Sequence, residues 1–281
     1  MRVAKKQSIS IGMPVYNGEA HLVQAIESLL GQSFTDFELI IADNASTDRT
    51  GEIAALLAAK DSRIRYYRHE TNIGAVANFD FALKQATGEY FMWAAYDDIW
   101  DSRWLEKMVR GFEIQGVVLS FGKVVAVNEA GSTIRDCGAY VFSKNRLQRL
   151  IKYFWMEEYS GKACLIYGLF KTSLLLQCKP FAEFKASNFS DMLFVFNCLN
   201  RGSVYIDPSV VFYKRSPPVV DYEAHSVMAR IRNSVFITGQ MNYYWGYVEE
   251  SSHPLDKLAI LLLLPVKYAK ALIMKIFRKI S

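Results

Sequence analysis

The segments SISIGMPVYN at residues 8–17 and FELIIADNASTD at residues 37–48 decide the fold, because each is a short apolar run that ends in a polar turn. The apolar runs, residues 8–13 and 37–42, have the length and isoleucine content of buried strands, so a strand is predicted at each. Residues 18–31 lie between them and carry leucine, isoleucine and alanine at helical spacing. The order strand, helix, strand predicts a right-handed βαβ unit with two parallel strands.

The same alternation continues to about residue 95. Two more strands are expected at residues 64–68 and 90–95, and two more crossover helices at residues 47–60 and 74–86. Repetition of the unit predicts the α/β class, with a mostly parallel, Rossmann-like central sheet flanked by helices.

The pattern changes after residue 115. Residues 117–127 form a long β-type run that ends in an Asn-Glu-Ala-Gly turn, which predicts a strand and a hairpin. Helical and β-type stretches then follow without a repeat or a flexible linker. The predicted helices cover residues 146–157, 165–178, 189–199 and 222–247, and the predicted strands cover residues 203–207 and 209–213.

The distribution of charge separates the end of the chain from the rest. The 281 residues have a net charge of +5, and residues 254–281 alone account for it. A nucleic-acid-binding protein is expected to carry a basic face on its folded body, so a nucleic-acid partner is not predicted. We predict one domain over residues 1–250, with halves at 1–115 and 116–250, and a basic helical tail over residues 251–281.

The composition indicates a globular protein and bears on metal binding and cellular location. Hydrophobic residues make up 51% of the chain and charged residues 22%, which is typical of a globular protein. The four cysteines form no CxxC pair, so a structural zinc site is not expected. The sequence shows no signal peptide, and its longest apolar run, residues 258–266, is shorter than the ~20 residues of a spanning helix. A cytoplasmic location with reduced thiols is therefore predicted.

Polar residues follow each predicted strand of the first half. In open α/β sheets, ligands bind beyond the carboxyl ends of the strands. The turns that directly follow the strands, the strand exits, are therefore the candidate site. The first exit contains neither GxGxxG nor GxxxxGK[ST], which disfavours a dinucleotide fold and a phosphate loop. The four exits are PVYNG at residues 14–18, DNASTD at 43–48, NIG at 72–74 and YDD at 96–98.

These four motifs, together with Glu19, resemble the family 2 glycosyltransferases in order and spacing over about the first 110 residues. The resemblance implies a GT-A fold, a nucleotide-sugar donor and inversion at the transferred sugar. It places Tyr16 against the nucleobase and Asp43 at the imide N–H of a uracil or thymine, which a carboxylate can accept. The donor-binding residues that it implies are Pro14, Tyr16, Asn17, Glu19, Asp43, Asn44, Asn72, Gly74 and Asp97.

The adjacent carboxylates of Asp97 and Asp98 point to a divalent cation. They follow an apolar run and repel each other, which is costly unless water or a cation compensates. Mg²⁺ or Mn²⁺ would join such carboxylates to a donor diphosphate, and we assign Asp98 as the metal ligand. The resembling family usually has an aspartate where this chain has Ala95. The alternative is that Asp98 caps the helix beginning near Asp101.

A catalytic base is also required, because the acceptor hydroxyl must lose its proton. The resemblance implies a carboxylate at the start of a helix in the second half, and Asp191 is the candidate, with Ser190 in place of a first acid. A helix N-terminus is expected to lower the pKa of this carboxylate and keep it ionised. The alternative is a charge that only stabilises the helix.

Several polar residues also have a purely structural interpretation. Ser46 and Asp48 could cap the second helix. The pair Lys214–Arg215 lies where members of the resembling family often carry basic residues or histidine near the diphosphate, but it is interpreted as a solvated surface pair. His225 is given no role.

The basic tail is predicted to lie on an anionic membrane surface. At 100° per residue one half of the helix is basic and the other apolar, which is typical of an interfacial helix. Packing against the domain or a contact between copies is the alternative. The basic half consists of Lys267, Lys270, Lys275, Arg278 and Lys279, and the apolar half of Ala269, Leu272, Ile273, Ile276, Phe277 and Ile280.

Together these features predict a metal-dependent inverting glycosyltransferase that moves a sugar from a UDP- or dTDP-linked donor to a glycan or lipid-linked glycan in cell-surface polysaccharide synthesis. The enzyme would be cytoplasmic and peripherally associated with the inner face of the cell membrane. The rival interpretations are a sugar nucleotidyltransferase, disfavoured by the lack of Lys or Arg in the first exit, and a nucleotide-sugar-binding scaffold with a decayed site.

Overall fold

The computed structural model describes residues 8–156, 161–184, 189–216 and 235–277, with side chains described up to residue 271 except for residues 235–241. The strands are β1 (Ile9–Val15), β2 (Phe37–Asp43), β3 (Ile64–Arg68), β4 (Tyr90–Trp93), β5 (Ile99–Trp100), β6 (Val117–Val127), β7 (Thr133–Ala139), β8 (Leu169–Lys171) and β9 (Ser203–Arg215). The helices are α1 (Leu22–Leu30), α2 (Thr50–Lys60), α3 (Ala75–Lys84), α4 (Trp104–Arg110), α5 (Arg146–Trp155), α6 (Thr172–Leu175), α7 (Ser190–Arg201), α8 (Val235–Glu250) and α9 (Pro254–Phe277). Short 3₁₀ helices lie at Gly111–Glu113, Lys162–Tyr167 and Phe181–Glu183.

These strands form one mixed sheet in the order β3-β2-β1-β4-β8-β6-β9-β5, with β7 paired to β6. The pairs β3-β2, β2-β1 and β1-β4 are parallel, as is β6-β9. The pairs of β8 with β4 and β6 are antiparallel. The predicted α/β fold, with helices flanking a central sheet, is therefore confirmed, and the four strands of the first half begin and end within two residues of their predicted bounds.

Burial on both faces explains why β1 and β2 are continuous apolar runs. Every residue of both strands is buried, which is typical of parallel strands covered by helices on each side. Gly12 of β1 is required by this packing, since a Cβ atom there would lie 2.6 Å from the Phe91 ring. The core of the first half thus fixes the positions at which the strands end.

In the second half, β6 is the long strand that organises the sheet. It pairs with β7 as the predicted hairpin and with β9 along nearly its whole length. The two predicted strands around Pro208 are one strand, because the register shifts between Phe121 and Lys123 of β6 and leaves Pro208 within an irregularity. Proline lacks a backbone N–H and is tolerated in a sheet at such a place.

The prediction of a helix at residues 165–178 was wrong. This stretch contains the end of the 3₁₀ helix Lys162–Tyr167, then β8 and α6. Gly168 brings the backbone against β6, since a Cβ atom there would lie 2.4 Å from Leu119 Cδ1 and 2.8 Å from the Ser120 carbonyl oxygen. Of the apolar residues that suggested helical spacing, Leu169 and Phe170 are buried on a short central strand instead.

The described part of the C-terminal tail packs on the domain. Ile260 of α9 belongs to the hydrophobic core, and the buried Asp256 pairs with Arg146 of α5 at 3.1 Å. The predicted division at residue 250 stays a prediction. The first part of the helix predicted at 222–247, with His225, lies outside the described residues. Within the described helices, none is both long and apolar enough to cross a membrane.

Candidate active site at the carboxyl edge of the sheet

The first two strand exits are held together by hydrogen bonds. Asn17 adopts a positive φ of 53°, which turns the chain sharply after β1, and asparagine tolerates this conformation better than most residues. Its backbone N–H donates to Ser46 Oγ at 3.0 Å, and its Oδ1 accepts from the Thr47 N–H at 2.8 Å. Gly18 N–H donates to Thr50 Oγ1 at 2.7 Å. Asn17 therefore positions the second exit.

Glu19 and Asp48 connect the same two loops. Glu19 Oε2 accepts from the Arg49 N–H at 2.9 Å, and Asp48 Oδ2 accepts from the Glu19 N–H at 3.1 Å. Asp48 Oδ1 also accepts from the Thr50 N–H at 3.0 Å, at the start of α2. The interpretation of Asp48 as a helix-terminal residue is therefore confirmed, while Ser46 instead accepts from Asn17.

Asp43 ends β2 with a fully buried carboxylate. Its Oδ1 accepts from the Ser46 N–H at 2.9 Å, and its Oδ2 accepts from Tyr66 Oη at 2.9 Å and from Arg68 Nη1 at 3.2 Å. The Arg68 side chain is half exposed. A nucleobase would reach Asp43 only beside this guanidinium, and the base contact of Asp43 stays a prediction.

The third exit is tied to the second through two asparagines. Asn44 Nδ2 donates to Asn72 Oδ1 at 2.9 Å, and Asn44 Oδ1 accepts from the Ile73 N–H at 2.8 Å. Asn72 Oδ1 also accepts from the Gly74 N–H at 2.8 Å. Gly74 has a φ of 85°, a conformation that favours glycine, and leads directly into α3.

Tyr16 differs from its neighbours because its side chain is exposed. Pro14 and Val15 are buried in β1, whereas Tyr16 is 43% exposed. A packed aromatic residue would bury most of its surface, so the ring is available to a ligand at this edge. Behind it, the Tyr96 ring lies against Gly18, where a Cβ atom would be 2.6 Å from Tyr96 Cδ2. The first and fourth exits therefore meet here.

Asp98 is the centre of the fourth exit, and its carboxylate is already paired with a cation of this chain. Lys214 Nζ lies 3.0 Å from Oδ2 and 3.2 Å from Oδ1, and the Arg215 N–H donates to Oδ1 at 2.8 Å. Asp98 is fully buried. The alternative that Asp98 caps the following helix was wrong, because its partners lie across the sheet on β9.

Burial raises the pKa of Asp98 to about 6, and the charge of Lys214 opposes this rise. Burial alone would lower the pKa of Lys214, but the charge of Asp98 more than offsets it and raises that pKa. Both groups are therefore ionised at pH 7.

Arg215 holds the loop that carries the two aspartates. Its Nε donates to the Asp97 carbonyl oxygen at 2.9 Å, its Nη1 to the Glu129 carbonyl oxygen at 2.7 Å, and its Nη2 to Gln24 Oε1 at 2.6 Å. Its side chain is almost completely buried. The interpretation of Lys214–Arg215 as a solvated surface pair was therefore wrong. Spacing did not reveal their role, because Asp98 and Lys214 are 116 positions apart.

A divalent cation fits Asp97 better than Asp98. Asp97 is partly exposed, and within the described residues its carboxylate accepts no hydrogen bond, whereas both oxygens of Asp98 are occupied by Lys214 and Arg215. No group of three His, Cys, Asp or Glu side chains lies together among the residues described. Mg²⁺ commonly needs only one or two carboxylates together with substrate phosphates. The assignment of the metal to Asp98 stays a prediction, and it would require Lys214 to move.

Asp191 lies in the first turn of α7, as predicted. Its Oδ1 accepts from the Met192 N–H at 2.8 Å, and part of its surface remains exposed. The expected lowering of its pKa was wrong: desolvation by the surrounding protein outweighs the helix N-terminus and raises the pKa to about 6. A carboxylate with this pKa is ionised at pH 7 and is a stronger base than an ordinary aspartate.

Tyr167 and Cys164 lie close enough to Asp191 and to the Asp98–Lys214 pair to experience the charges of all three groups. Lys214 Nζ is 5.8 Å from the centre of the Tyr167 ring. The 3₁₀ helix Lys162–Tyr167 therefore joins the proposed base to the fourth strand exit. Sequence reasoning missed this segment because it was interpreted as part of a helix.

Comparison with known proteins identifies the family of this chain. Residues 10–172 match the sequence model of the family described as "Glycosyl transferase family 2". A protein named "Uncharacterized glycosyltransferase" from Haemophilus influenzae is 35% identical over 127 residues, which are 45% of this chain and 51% of that protein. The "Putative glycosyltransferase EpsE" of Bacillus subtilis is 42% identical over 106 residues, 37% of this chain and 38% of that protein. A Rickettsia felis relative is matched over only 25% of its length. The chain thus spans about half or less of these relatives.

Solved structures share the fold. TarS 1-349 of S. aureus in complex with UDP has a TM-score of 0.63 at 18% identity, covering 90% of this chain and 68% of that one. The mannosyltransferase PcManGT of Pyrobaculum calidifontis, in complex with GDP-Man and Mn²⁺, has a TM-score of 0.62 at 16% identity, covering 97% and 74%. At these identities the likeness establishes the GT-A fold alone. With more than half of its length matched by the family's sequence model, this chain belongs to glycosyl transferase family 2.

Proposed function

We propose that this glycosyltransferase transfers a sugar, with inversion, from a UDP- or dTDP-linked donor to a glycan or lipid-linked glycan in cell-surface polysaccharide synthesis. The observation that carries the proposal is the convergence of four strand exits on one edge of the sheet, with an exposed Tyr16 at the first exit. The charges of Lys214, Asp98 and Asp191 all act on Tyr167, which supports a site that includes the fourth exit and Asp191. In this arrangement Tyr16 would stack on the nucleobase and the Asp191 carboxylate would accept a proton. Lys214 and Arg215 would supply positive charge for the donor diphosphate.

Two kinds of residue at the strand exits support the proposed donor site. Some side chains hydrogen-bond to backbone N–H groups and so fix the loops, namely those of Asn17, Glu19, Asn44 and Asn72. Tyr16 would stack on the nucleobase. Asp43 and Arg68 would contact the polar edge of the nucleobase. Solved neighbours of the same fold hold UDP, UDP-GlcNAc and GDP-Man.

A divalent cation, Mg²⁺ or Mn²⁺, is proposed to bind Asp97 together with the donor diphosphate. When bound, it would neutralise charge on the leaving nucleotide. Lys214 and Arg215 add fixed positive charge beside it and hold the Asp97 loop in place.

Asp191 is proposed to take the proton of the acceptor hydroxyl. The acceptor oxygen then forms a bond to the anomeric carbon on the face opposite the diphosphate. The bond between that carbon and the diphosphate oxygen breaks, and the nucleoside diphosphate leaves with the electron pair. A pKa of about 6 keeps Asp191 ready to accept the proton at neutral pH.

Association with an anionic membrane surface is also proposed, but through a different side of α9 than the sequence suggested. Lys267 is buried and donates to the Met156 carbonyl oxygen at 2.7 Å, so its prediction as a membrane-facing residue was wrong. Lys275, Arg278 and Lys279 have no described side chains. The outward side of α9 is apolar instead. Its exposed residues, three or four positions apart, are Leu255, Leu258, Leu262, Val266 and Ala269.

This apolar side supports a peripheral location at the inner face of the cell membrane. Each buried leucine would contribute ~1.5–3 kcal/mol on leaving water, and Lys257 is exposed on the same helix. In sedimentation with anionic vesicles, the double variant Leu258→Glu and Leu262→Glu should remain in the supernatant. Leu176→Glu, at an equally exposed leucine of another surface, should sediment like the unaltered protein. Equal sedimentation of the double variant would overturn the proposal.

Donor binding tests the proposed function itself. A thermal-shift panel of nucleotide sugars, with and without Mn²⁺, should show stabilisation by UDP- or dTDP-sugars because a ligand of the native state raises the melting temperature. Tyr16→Ala should remove most of this stabilisation, whereas Tyr16→Phe should retain it. Stabilisation by no nucleotide sugar would refute the proposal. Binding without turnover when acceptor lipids are added would favour a scaffold with a decayed site.

A further inference from the structure

Lys214 makes the contacts with Asp98 that a metal ion would need. Its Nζ lies 3.0 Å from Oδ2 and 3.2 Å from Oδ1, so one ammonium group contacts both carboxylate oxygens. The Arg215 N–H donates to Oδ1 at 2.8 Å as well. A hard divalent cation binds the same kind of negatively charged oxygen. In this arrangement Asp98 therefore serves the lysine of its own chain.

The sheet fixes Asp98 beside this lysine. The Asp98 side chain has no exposed surface, and the carbonyl oxygen of the residue before it, Asp97, accepts from Arg215 Nε at 2.9 Å. Lys214 and Arg215 are the last residues of β9 and lie within its ladder with β6. The carboxylate and its cation are thus held from two parts of the fold.

The ammonium group of Lys214 also remains close to solvent. Its Nζ lies 5.8 Å from the centre of the Tyr167 ring, within the range in which an aromatic face attracts a cation. The Lys214 side chain as a whole is 31% exposed. Its charge can therefore act on a ligand that arrives at the fourth strand exit.

The charges at this exit balance without a metal ion. The loop at residues 97–98 carries two carboxylates, and the end of β9 at residues 214–215 carries two cationic side chains. A divalent cation added alone would leave an excess of positive charge beside the ammonium group, and like charges repel. The negative charges of a donor diphosphate would remove this excess.

We propose that Lys214 makes binding of the divalent cation depend on the donor: by occupying Asp98 it keeps the cation from binding until the donor diphosphate is present. This inference rests on the proposed cation at Asp97. Without Lys214, Asp97 and Asp98 would form an adjacent pair of carboxylates whose mutual repulsion a divalent cation relieves. Such a pair would bind the cation without a nucleotide.

Binding of Mn²⁺ to the full chain, followed by electron paramagnetic resonance of the free ion, tests the proposal without any transfer. In the absence of UDP, Lys214→Met and Lys214→Gln should each bind Mn²⁺ about tenfold more tightly than the unaltered protein, because a repelling charge is removed and a carboxylate is freed. Lys214→Arg should bind like the unaltered protein. Lys123→Met is the matched control, because Lys123 pairs with the exposed Asp136, and its Mn²⁺ affinity should not change.

Two further arms locate the effect. Asp98→Asn added to Lys214→Met should abolish the gain, since Asp98 is the carboxylate that is freed. In the unaltered protein, UDP should raise the Mn²⁺ affinity about tenfold once Mn²⁺ bound to free UDP is subtracted.

Equal Mn²⁺ affinities of the unaltered protein and both neutral variants without UDP would overturn the proposal. So would a gain that persists in the double variant, or neutral variants that fail to fold while Lys214→Arg folds, because the charge would then serve the fold. If the unaltered protein binds Mn²⁺ with UDP in any of these cases, the proposed cation at Asp97 still stands. If no variant binds Mn²⁺ even with UDP, the proposed cation is refuted and this inference with it.

Discussion

Replacement of Lys214 by methionine removes the cation that pairs with Asp98 while keeping a side chain of similar length. Lys214 Nζ contacts both oxygens of the buried carboxylate, so the variant leaves Asp98 with the Arg215 N–H as its partner. Breaking a fully buried ion pair costs about 3–5 kcal/mol, whereas exposed pairs contribute ~0–1 kcal/mol. The Lys214 side chain is 31% exposed and that of Asp98 is fully buried. We therefore expect a loss of about 1–3 kcal/mol in the free energy of unfolding at pH 8.

The loss should depend on pH in a defined direction. Burial penalises the ionised form of Asp98 and raises its pKa in the folded protein from the ordinary value of 3.8 to about 6. Without Lys214 no side-chain cation offsets the cost of burying the ionised carboxylate, and protonation of Asp98 removes this cost. The difference in stability between Lys214→Met and the unaltered protein should be largest at pH 8 and should shrink as the pH falls through the raised pKa.

Urea unfolding at pH 8 and pH 5, in the presence of EDTA, measures this difference. Lys214→Arg should lose little, because it keeps the charge. Lys123→Met is a second control, since Lys123 pairs with the exposed Asp136 and such pairs contribute ~0–1 kcal/mol. A Lys214→Met variant that is as stable as the unaltered protein at pH 8 would refute the account of this site.

Three other predictions concern the donor, the cation and the fold. Tyr16→Ala should weaken donor binding measured by calorimetry by ~1–3 kcal/mol, as for other base-stacking aromatics, and unchanged affinity would exclude stacking. Asp97→Asn should raise the Mn²⁺ concentration needed for half-maximal transfer more than Asp98→Asn does, and the reverse order would return the metal to Asp98. Gly168→Ala should lower the unfolding free energy by ~1–3 kcal/mol, because its Cβ would overlap the backbone of β6. Gly31→Ala, where the nearest atom is 3.2 Å away, should cost less.

The first half of the fold was predictable because local patterns carry it. Parallel strands buried on both faces are continuous apolar runs, so β1 to β4 could be read from short windows of sequence. The strand exits follow from the same runs, which is why Tyr16 and Asp97 could be named as candidate site residues from the sequence.

The errors arose where distant parts of the chain meet. Lys214 and Arg215 looked solvated because nothing in their neighbourhood in sequence shows that β9 ends beside Asp98. The pKa of Asp191 was misjudged because the helix N-terminus is visible in sequence, whereas burial of the carboxyl group by other parts of the chain is not. The segment at 165–178 was misinterpreted because periodicity does not distinguish a short, continuously apolar buried strand from a segment of buried helix.

Release of nucleoside diphosphate tests the central claim most directly. The purified chain is incubated with Mn²⁺, a panel of nucleotide sugars and a lipid extract containing candidate acceptors, and the released nucleoside diphosphate is quantified. We predict acceptor-dependent release from a UDP- or dTDP-sugar, and a fall of ~10²–10⁴ in rate for Asp191→Asn with donor affinity unchanged. Equal release by Asp191→Asn, or release that is the same without acceptor, would contradict the account.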